Sequence, residues 1–180
     1  MAFAIPPVKN VFPLTTLFGQ VDSSHANPHG GMDFACPVGT QVCAPSAGTV
    51  SRKFYEEDGA GNALEITHPS GVKTLYFHLS SYNTAVGQKV NAGDVVALSG
   101  GAKGAAGAGH STGPHLHWEV RDLNNNKLDP LKYLPGVWNL SANLAKLLGK
   151  TTVRGGVGIS AGVLLVAAAG GYLWWRRRAK

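Results

Sequence analysis

Residues 111–120 read STGPHLHWEV, and from His115 onward polar and apolar side chains alternate. In an extended strand, the two histidines, His115 and His117, would point to one face, and the leucine and tryptophan to the other. Pro114, immediately before the alternation, suits the first residue of a strand. The stretch therefore predicts a half-buried strand that packs its apolar face into a core and presents two imidazoles on its other face.

Similar short runs rich in β-branched and aromatic residues recur along the middle of the chain. Turn-forming segments such as EDGAGN and HPSG separate them. Several short strands at this spacing are typical of an antiparallel all-β sandwich or barrel, which is the fold class we predict. The runs are QVCA at 41–44, GTVSRKFY at 48–55, NALEITH at 62–68, VKTLYFHL at 72–79, DVVALSG at 94–100 and HLHWEV at 115–120.

The basic character of the chain is concentrated at its C-terminus. The formal net charge is +6, but four of the 16 Lys and Arg residues lie at 176–180. All 10 acidic residues lie within 1–154, together with the remaining basic ones, so this part is nearly neutral. No nucleic-acid partner is therefore expected.

Two cysteines, Cys36 and Cys43, flank a turn that contains proline and glycine. They form either a disulfide across a hairpin or two buried free thiols, because spacing alone does not determine the separation of their Cα atoms. The chain contains no CxxC pair, so the cysteines do not resemble zinc ligands.

The chain ends in an uncharged segment, GGVGISAGVLLVAAAGGYLWW at 155–175. As a helix it would span roughly 30 Å, about the hydrocarbon thickness of a bilayer. Its last residues are aromatic and basic residues follow, as at a membrane interface. We therefore predict an extended N-terminal arm (1–14), a β domain (15–138), a short helix or linker (139–154), a transmembrane helix (155–175) and a basic tail (176–180).

The predicted transmembrane helix sets expectations about location and partners. Basic residues after the span place the C-terminus in the cytoplasm and the β domain outside. The N-terminal MAFAIPPVKNVFP lacks the features of a signal peptide, so we expect the membrane of a phage virion, with a bacterial cell envelope as the alternative. Gly158 and Gly162 form a small-xxx-small pair that suits a homo-oligomer, and other virion proteins are further expected partners.

Two more motifs place histidines beside residues that can carry chemistry. In HGGMD, two glycines disfavour a helix, so His29 and Asp33 would converge across a turn at the start of a strand. The alternative is a glycine turn that merely carries two polar residues. In LYFHLS, strand alternation predicts that Tyr76 and His78 share the exposed face, and that Phe77 and the two leucines share the buried one.

Together these motifs match the needs of a zinc hydrolase. Such a site uses three protein ligands and an open position, with a proton acceptor and a group that stabilises negative charge. His29, Asp33 and one histidine of HLH would supply the ligands. His78 and the other histidine of HLH would supply the remaining groups. The spacing does not decide which of His115 and His117 would bind the metal.

The same stretches, in the same order, resemble the lysostaphin/LytM-type M23 metallopeptidases. The resemblance is carried by HGGMDFACPVGTQVCAPSAGTV, LYFHLS, GQKVNAGDVVALSG and STGPHLHWEV, and it covers about residues 15–135. It implies an antiparallel LytM-like sandwich or half-barrel with a groove, and a peptidase domain at 15–138. Gln20 stands where many relatives have arginine and Trp118 where phenylalanine is usual, which affects groove shape rather than the metal ligands.

The resemblance also implies an activity and the roles of the site residues. It implies a Zn²⁺ ion held by His29, Asp33 and His117, with His115 as the general base and His78 stabilising the transition state. The expected protein is a membrane-anchored zinc endopeptidase that cuts peptide cross-links of bacterial peptidoglycan during phage entry or lysis. The alternatives are a catalytically silent LytM-like module that binds the wall or activates an amidase, and a structural virion membrane protein.

Overall fold

The computed structural model describes residues 2–21 and 27–135, which form eleven strands and one 3₁₀ helix. The strands are β1 (Leu14–Thr16), β2 (Met32–Phe34), β3 (Gln41–Cys43), β4 (Gly48–Glu56), β5 (Gly61–Thr67), β6 (Val72–Phe77), β7 (Leu79–Tyr82), β8 (Lys89–Val90), β9 (Val95–Ser99), β10 (Leu116–Asp122) and β11 (Lys127–Leu128). The 3₁₀ helix is Pro130–Lys132. Each of the six predicted runs overlaps a strand.

The strands form two sheets. The larger has the order β1-β2-β10-β6-β5-β4-β8, with β11 also paired to β10, and the smaller has the order β3-β9-β7. Every pairing between these strands is antiparallel. The predicted all-β antiparallel class is therefore confirmed for the described residues.

The central strand β10 gives the larger sheet two unlike faces. Trp118 is fully buried and lies opposite Met32 of β2 and Tyr76 of β6, so these three side chains contribute to the hydrophobic core. His117 and Glu119 alternate with them and point to the opposite side, which we call the groove face. The predicted orientation of the HLHWEV alternation is confirmed.

The predicted alternation along β6 is wrong. The strand ends at Phe77, and His78 has a φ of 59°, in the left-handed region. Tyr76 is fully buried in the core, where its hydroxyl lies 3.0 Å from Thr74 Oγ1. Phe77 lies on the groove face, with its ring stacked on His117 at a centroid distance of 5.1 Å. Because His78 is not in strand geometry, strand alternation extrapolated from His78 assigns Tyr76 and Phe77 to the wrong faces.

The N-terminal residues pack against the core face of the sheet. The Phe3 ring lies 5.9 Å from the Trp118 ring and 5.3 Å from the His68 ring, and only 7% of Phe3 is exposed. Val8 is fully buried and bridges to Val42 of β3. The segment predicted as an extended arm thus contributes side chains to the core, on the side opposite His117.

Cys36 and Cys43 are both free and buried. Of the two alternatives, the pair of buried thiols therefore holds. Burial raises the pKa of both thiols, and a thiol with a raised pKa is a weak nucleophile. Neither cysteine lines the groove described below.

The predicted transmembrane helix at 155–175 lies outside the described residues, as do the linker at 139–154 and the tail at 176–180. Within residues 2–21 and 27–135, no helix is long and apolar enough to cross a bilayer. The last described element is the 3₁₀ helix, whose first turn is capped by Asp129 through a 3.0 Å hydrogen bond from the Leu131 N–H.

Candidate metal centre and catalytic groove

The three predicted metal ligands converge where β2 pairs with β10. The register sets His117 opposite Asp33, and the turn before β2 brings His29 to the same point. Asp33 Oδ1 lies 2.9 Å from His117 Nδ1 and 3.3 Å from His29 Nε2, and the two nitrogens are 2.9 Å apart. All three residues are buried, and one ligand atom from each lies within 4.8 Å of the others.

The chemistry of this donor set suits a metal ion. Two imidazole nitrogens and a carboxylate oxygen are typical zinc ligands. Burial by itself raises the pKa of Asp33, but hydrogen bonds from His117 and His29 outweigh it and hold that pKa far below its usual range. The carboxylate therefore stays ionised in a buried position, where a bound cation would balance its charge.

The two glycines of HGGMD are explained by close packing against β10. A Cβ atom at Gly31 would lie 2.4 Å from the carbonyl oxygen of Trp118 and 2.9 Å from His117 Nε2. A Cβ atom at Gly30 would lie 2.6 Å from Glu119 Oε1. Only glycine lets the chain pass this close to β10. The two glycines therefore bring His29 and Asp33 close to His117 and leave room for the side chain of Glu119.

One functional residue, Glu119, was missed in the sequence. Its Oε1 lies 3.3 Å from His117 Nε2, and because a carboxylate only accepts, Nε2 must donate. That leaves Nδ1 of His117, which donates to Asp33 when no metal is present, as the ring atom that would bind a metal in place of its proton. Arg121 Nε donates to Glu119 Oε2 at 2.6 Å, and Lys127 Nζ lies 3.1 Å from Oε1. The available clue was spacing, because residues 117 and 119 share a face of any strand.

Glu119 remains charged although it is only 1% exposed. Burial raises its pKa, but the hydrogen bond with His117 and the charges of His117, Arg121 and Lys127 outweigh burial and lower the pKa to about 2. The carboxylate is thus an ionised, fully partnered support for the imidazole of His117.

We expect Glu119→Gln to weaken zinc binding about 10–100-fold, because the neutral amide accepts a weaker hydrogen bond and orients His117 less firmly. Competition with a chelating indicator measures the affinity. Glu65→Gln is the matched control, since Glu65 is also buried, lies on the groove face of β5 and bonds to Ser51 at 2.7 Å, away from the ligands. Equal affinities in Glu119→Gln and the wild type would contradict the assignment.

His115 lies just before β10 and reaches the same carboxylate from the groove side. Its Nδ1 lies 2.8 Å from the carbonyl oxygen of Gly113 and 3.2 Å from Ser111 Oγ. A carbonyl only accepts, so Nδ1 carries the proton and the neutral ring has its lone pair on Nε2. That Nε2 lies 3.9 Å from Asp33 Oδ1, which places a proton acceptor at the edge of the metal group.

His78 presents a second imidazole to the same point. Its Nδ1 donates to the carbonyl oxygen of Ala108 at 2.8 Å, so the lone pair of the neutral ring again lies on Nε2. The ring centroid lies 4.7 Å from that of His115 and 6.1 Å from that of His117. Burial, reinforced by these two rings, lowers the pKa of His78 to about 4. His78 is therefore neutral near pH 7.

The glycine-rich segment 101–113 positions both of these imidazoles through backbone carbonyls. It packs closely against β5, where Gly107 O accepts from the Asn62 N–H at 2.8 Å. A Cβ atom at Gly107 would lie 2.2 Å from Asn62 Nδ2 and 2.7 Å from the carbonyl oxygen of Leu79. The small residues of this segment thus permit the close approach that brings the Ala108 carbonyl to His78.

We expect Gly107→Ala to lower the rate of peptide hydrolysis by up to about 100-fold while zinc content is kept, because the displaced segment misplaces His78. Steady-state kinetics and metal analysis of the same preparation test this. Gly104→Ala is the matched control: both glycines have positive φ, 81° and 74°, but a Cβ atom at Gly104 meets nothing within 4 Å. Equal losses in the two variants would assign the effect to backbone strain.

The groove predicted from the resemblance is present, and all the predicted site residues line it. It opens on the groove face, and its lining also includes Phe54, Phe77 and His110. His68 lies elsewhere, bonded to Ala47 O and Thr74 Oγ1. The structure thus brings together His29, Asp33, His78, His115 and His117, whose individual roles stay predictions.

Fold and site together define a class of protein: an all-β hydrolase domain in which two histidines and an aspartate form a buried metal group beside two oriented imidazoles. The family model of Peptidase family M23 matches residues 27–130. The chain belongs to this family, which confirms the resemblance and identifies the domain as a zinc metallopeptidase.

Three similar proteins illustrate the relationship. Peptidoglycan DD-endopeptidase ShyB of Vibrio cholerae is 40% identical over 117 residues, 64% of this chain and 26% of that protein. The catalytic domain of lysostaphin from Staphylococcus simulans superposes with a TM-score of 0.59 at 30% identity, over 67% of this chain and 90% of that one. A zinc-containing peptidase from Vibrio cholerae has a TM-score of 0.63 at 36% identity, over 75% and 41%. The chain spans about a quarter of the length of the curated relatives it matches.

Proposed function

We propose that this protein hydrolyses peptide cross-links of bacterial peptidoglycan, with zinc held by His29, Asp33 and His117. The observation that carries the proposal is the convergence of this ligand group with two imidazoles that each keep a free Nε2 lone pair. The name of one relative, a peptidoglycan DD-endopeptidase, supports the substrate class, and the description of lysostaphin as a peptidase supports the reaction.

When bound, zinc supplies Lewis acidity that activates water and polarises the scissile carbonyl group. His115 accepts the proton of the attacking water at Nε2, since its Nδ1 is committed to Gly113. The same Nε2–H then donates the proton to the departing amine nitrogen. Ser111 and Gly113 hold the ring in one orientation during both transfers.

His78 contributes a second acceptor and then a donor. As a neutral ring it accepts a hydrogen bond from the attacking water at Nε2, which orients the water between two imidazoles. If it takes a proton during the reaction, the same atom donates to the developing oxyanion, as the resemblance implies. Its bond to Ala108 keeps Nε2 directed into the groove in either state.

The catalytically silent module and the structural virion protein are disfavoured by the same geometry. A wall-binding module needs neither three convergent ligands nor two oriented imidazoles, yet all five groups are in place here. Glu119 supports His117 with a buried charge, a costly arrangement in a domain that binds no metal.

The proposal extends to location. Residues 155–175 would anchor the protein in a bilayer, and the basic residues after them would leave the domain on the side where the wall lies. The bilayer proposed is that of a phage virion, with a bacterial cell envelope as the alternative. Fractionation of infected cells and purified particles, followed by detection of the chain, separates these two.

Digestion of purified peptidoglycan by the full-length, detergent-solubilised protein tests the activity. Mass spectrometry should show shortened cross-link peptides with a new amino and a new carboxyl end, each product pair gaining one water. The products also identify the bond that is cut. If zinc-loaded protein leaves the cross-links of several wall types intact, the proposal is refuted. The catalytically silent LytM-like module would then be the better explanation.

A further inference from the structure

The strand registers order the groove face into rows that cross the sheet. The row that contains the metal group runs from Asp33 through His117 and Phe77 to Phe54 on β4. The next row lies two residues further along each strand, or about 7 Å away. It consists of Glu119, Leu75, Glu65 and Arg52.

Cations cluster on this side of the metal row. Arg121, Lys127 and Arg52 line the groove, and we call these three residues the basic wall. The carboxylates that accompany them, Glu119 and Glu65, are only 1% and 7% exposed, whereas the side chains of the three cations are 20–55% exposed. Three more exposed positive charges and two buried negative ones leave the groove a positive surface at this end.

Arg52 is the most available of the three cations. Its side chain is 55% exposed, and its Nη2 lies 3.9 Å from Glu65, beyond hydrogen-bond distance. The guanidinium lies over the Phe54 ring at 4.1 Å, and both residues line the groove. Its fork of donors thus remains open to a carboxylate from outside.

The opposite side of the metal row is acidic. Glu56 lines the groove and is exposed, and Glu57 and Asp58 follow it in the β4–β5 turn. Arg52 and Glu56 lie on the same strand and face, four residues apart, or about 13 Å. The metal row, at Phe54, lies midway between them.

We propose that this charge gradient makes the groove directional: it takes a peptide that carries a free carboxylate within one or two residues of the scissile bond, and seats that carboxylate on the basic wall. A positively charged amino group on the other side of the scissile bond would then lie toward the acidic side of the groove, at Glu56. The inference rests on the proposed function and narrows its substrate class to anionic cross-link peptides, as against bridges built of uncharged residues only. A carboxylate one row from the metal row is at the distance that an extended dipeptide spans.

Two synthetic cross-link peptides that differ only in a free carboxylate or a carboxamide near the scissile bond test the inference. We expect kcat/KM to favour the carboxylate at least about tenfold, and Arg52→Gln to reduce that preference to within about threefold. Lys53→Gln is the matched control, because Lys53 is the next residue of β4 and lies over Tyr82 on the other face. Its preference should equal that of the wild type.

Calorimetric titration of both peptides into His115→Ala separates the two proposals. Equal kcat/KM and equal affinity for the two peptides would overturn the directional groove, while cleavage of both would leave the peptidase function standing. Carboxylate-selective binding that Arg52→Gln removes, with neither peptide nor wall ever cut, would sustain the groove and refute the peptidase. Loss of preference in Lys53→Gln as large as in Arg52→Gln would also overturn the inference, since a general loss of charge would then explain it.

Discussion

His117→Ala is expected to abolish tight zinc binding and with it peptidoglycan hydrolysis. His117 supplies the one ligand atom that lies 2.9 Å from both Asp33 Oδ1 and His29 Nε2, so its loss leaves two ligands where a zinc site needs three. The loss of affinity should exceed the roughly 10–100-fold that follows removal of a supporting partner such as Glu119.

Metal analysis after dialysis against a weak chelator measures the effect directly, with one zinc per chain expected for the wild type. His110→Ala serves as the control, because His110 is exposed, lines the same groove and is absent from the ligand group. It should keep its zinc. One tightly bound zinc in His117→Ala with normal activity would mean that the metal is held elsewhere.

His115→Ala is expected to keep zinc but to lose about 10²–10⁴-fold in kcat, the usual contribution of a positioned proton acceptor. The ring lies beside the ligand group, with Nε2 3.9 Å from Asp33 Oδ1, and His115 is not among the three residues whose ligand atoms converge. Measurements on one preparation should therefore show a normal zinc content together with a reduced rate of hydrolysis.

Comparison with His78→Ala sharpens this prediction. Both imidazoles keep a free Nε2, but only His115 lies within 4 Å of the Asp33 carboxylate. We expect the larger loss of kcat in His115→Ala, with zinc retained in both variants. Full activity in His115→Ala, or a loss of zinc from it, would show that the assigned roles of His115 and His117 are wrong.

The same residues show which features of the site can be predicted from residue spacing alone. HLHWEV alternates in a sequence that can hardly adopt anything but a half-buried strand, and Trp118 is in the core while His117 is on the groove face. For His29 and Asp33, the two glycines disfavoured a helix, but the residues alone left open a glycine turn that merely carries two polar side chains. Local chemistry was therefore sufficient for the HLHWEV strand, whereas the ligand role of His29 and Asp33 was implied by the resemblance.

Alternation failed at His78, because the rule assumes that every residue stays in strand geometry. A φ of 59° at that residue takes its side chain out of the alternation of faces along β6. The sequence LYFHLS contains no glycine or proline that would indicate a break in the strand. The bond from His78 to Ala108, 30 residues away, accompanies the turn. The alternation of residues along one strand does not predict a contact between residues this far apart in the chain.

The sequence by itself determined the all-β class, the face on which the HLH histidines lie and the five residues of the candidate site. Only the tertiary structure decided that Nε2 of His78 and His115 faces the groove and that Glu119 supports His117. It also decided that Arg52 and Glu56 lie on opposite sides of the metal row. The physical reason is that side-chain types and alternation are local properties, whereas tautomers, buried ion pairs and charge gradients depend on the register between strands distant in the chain.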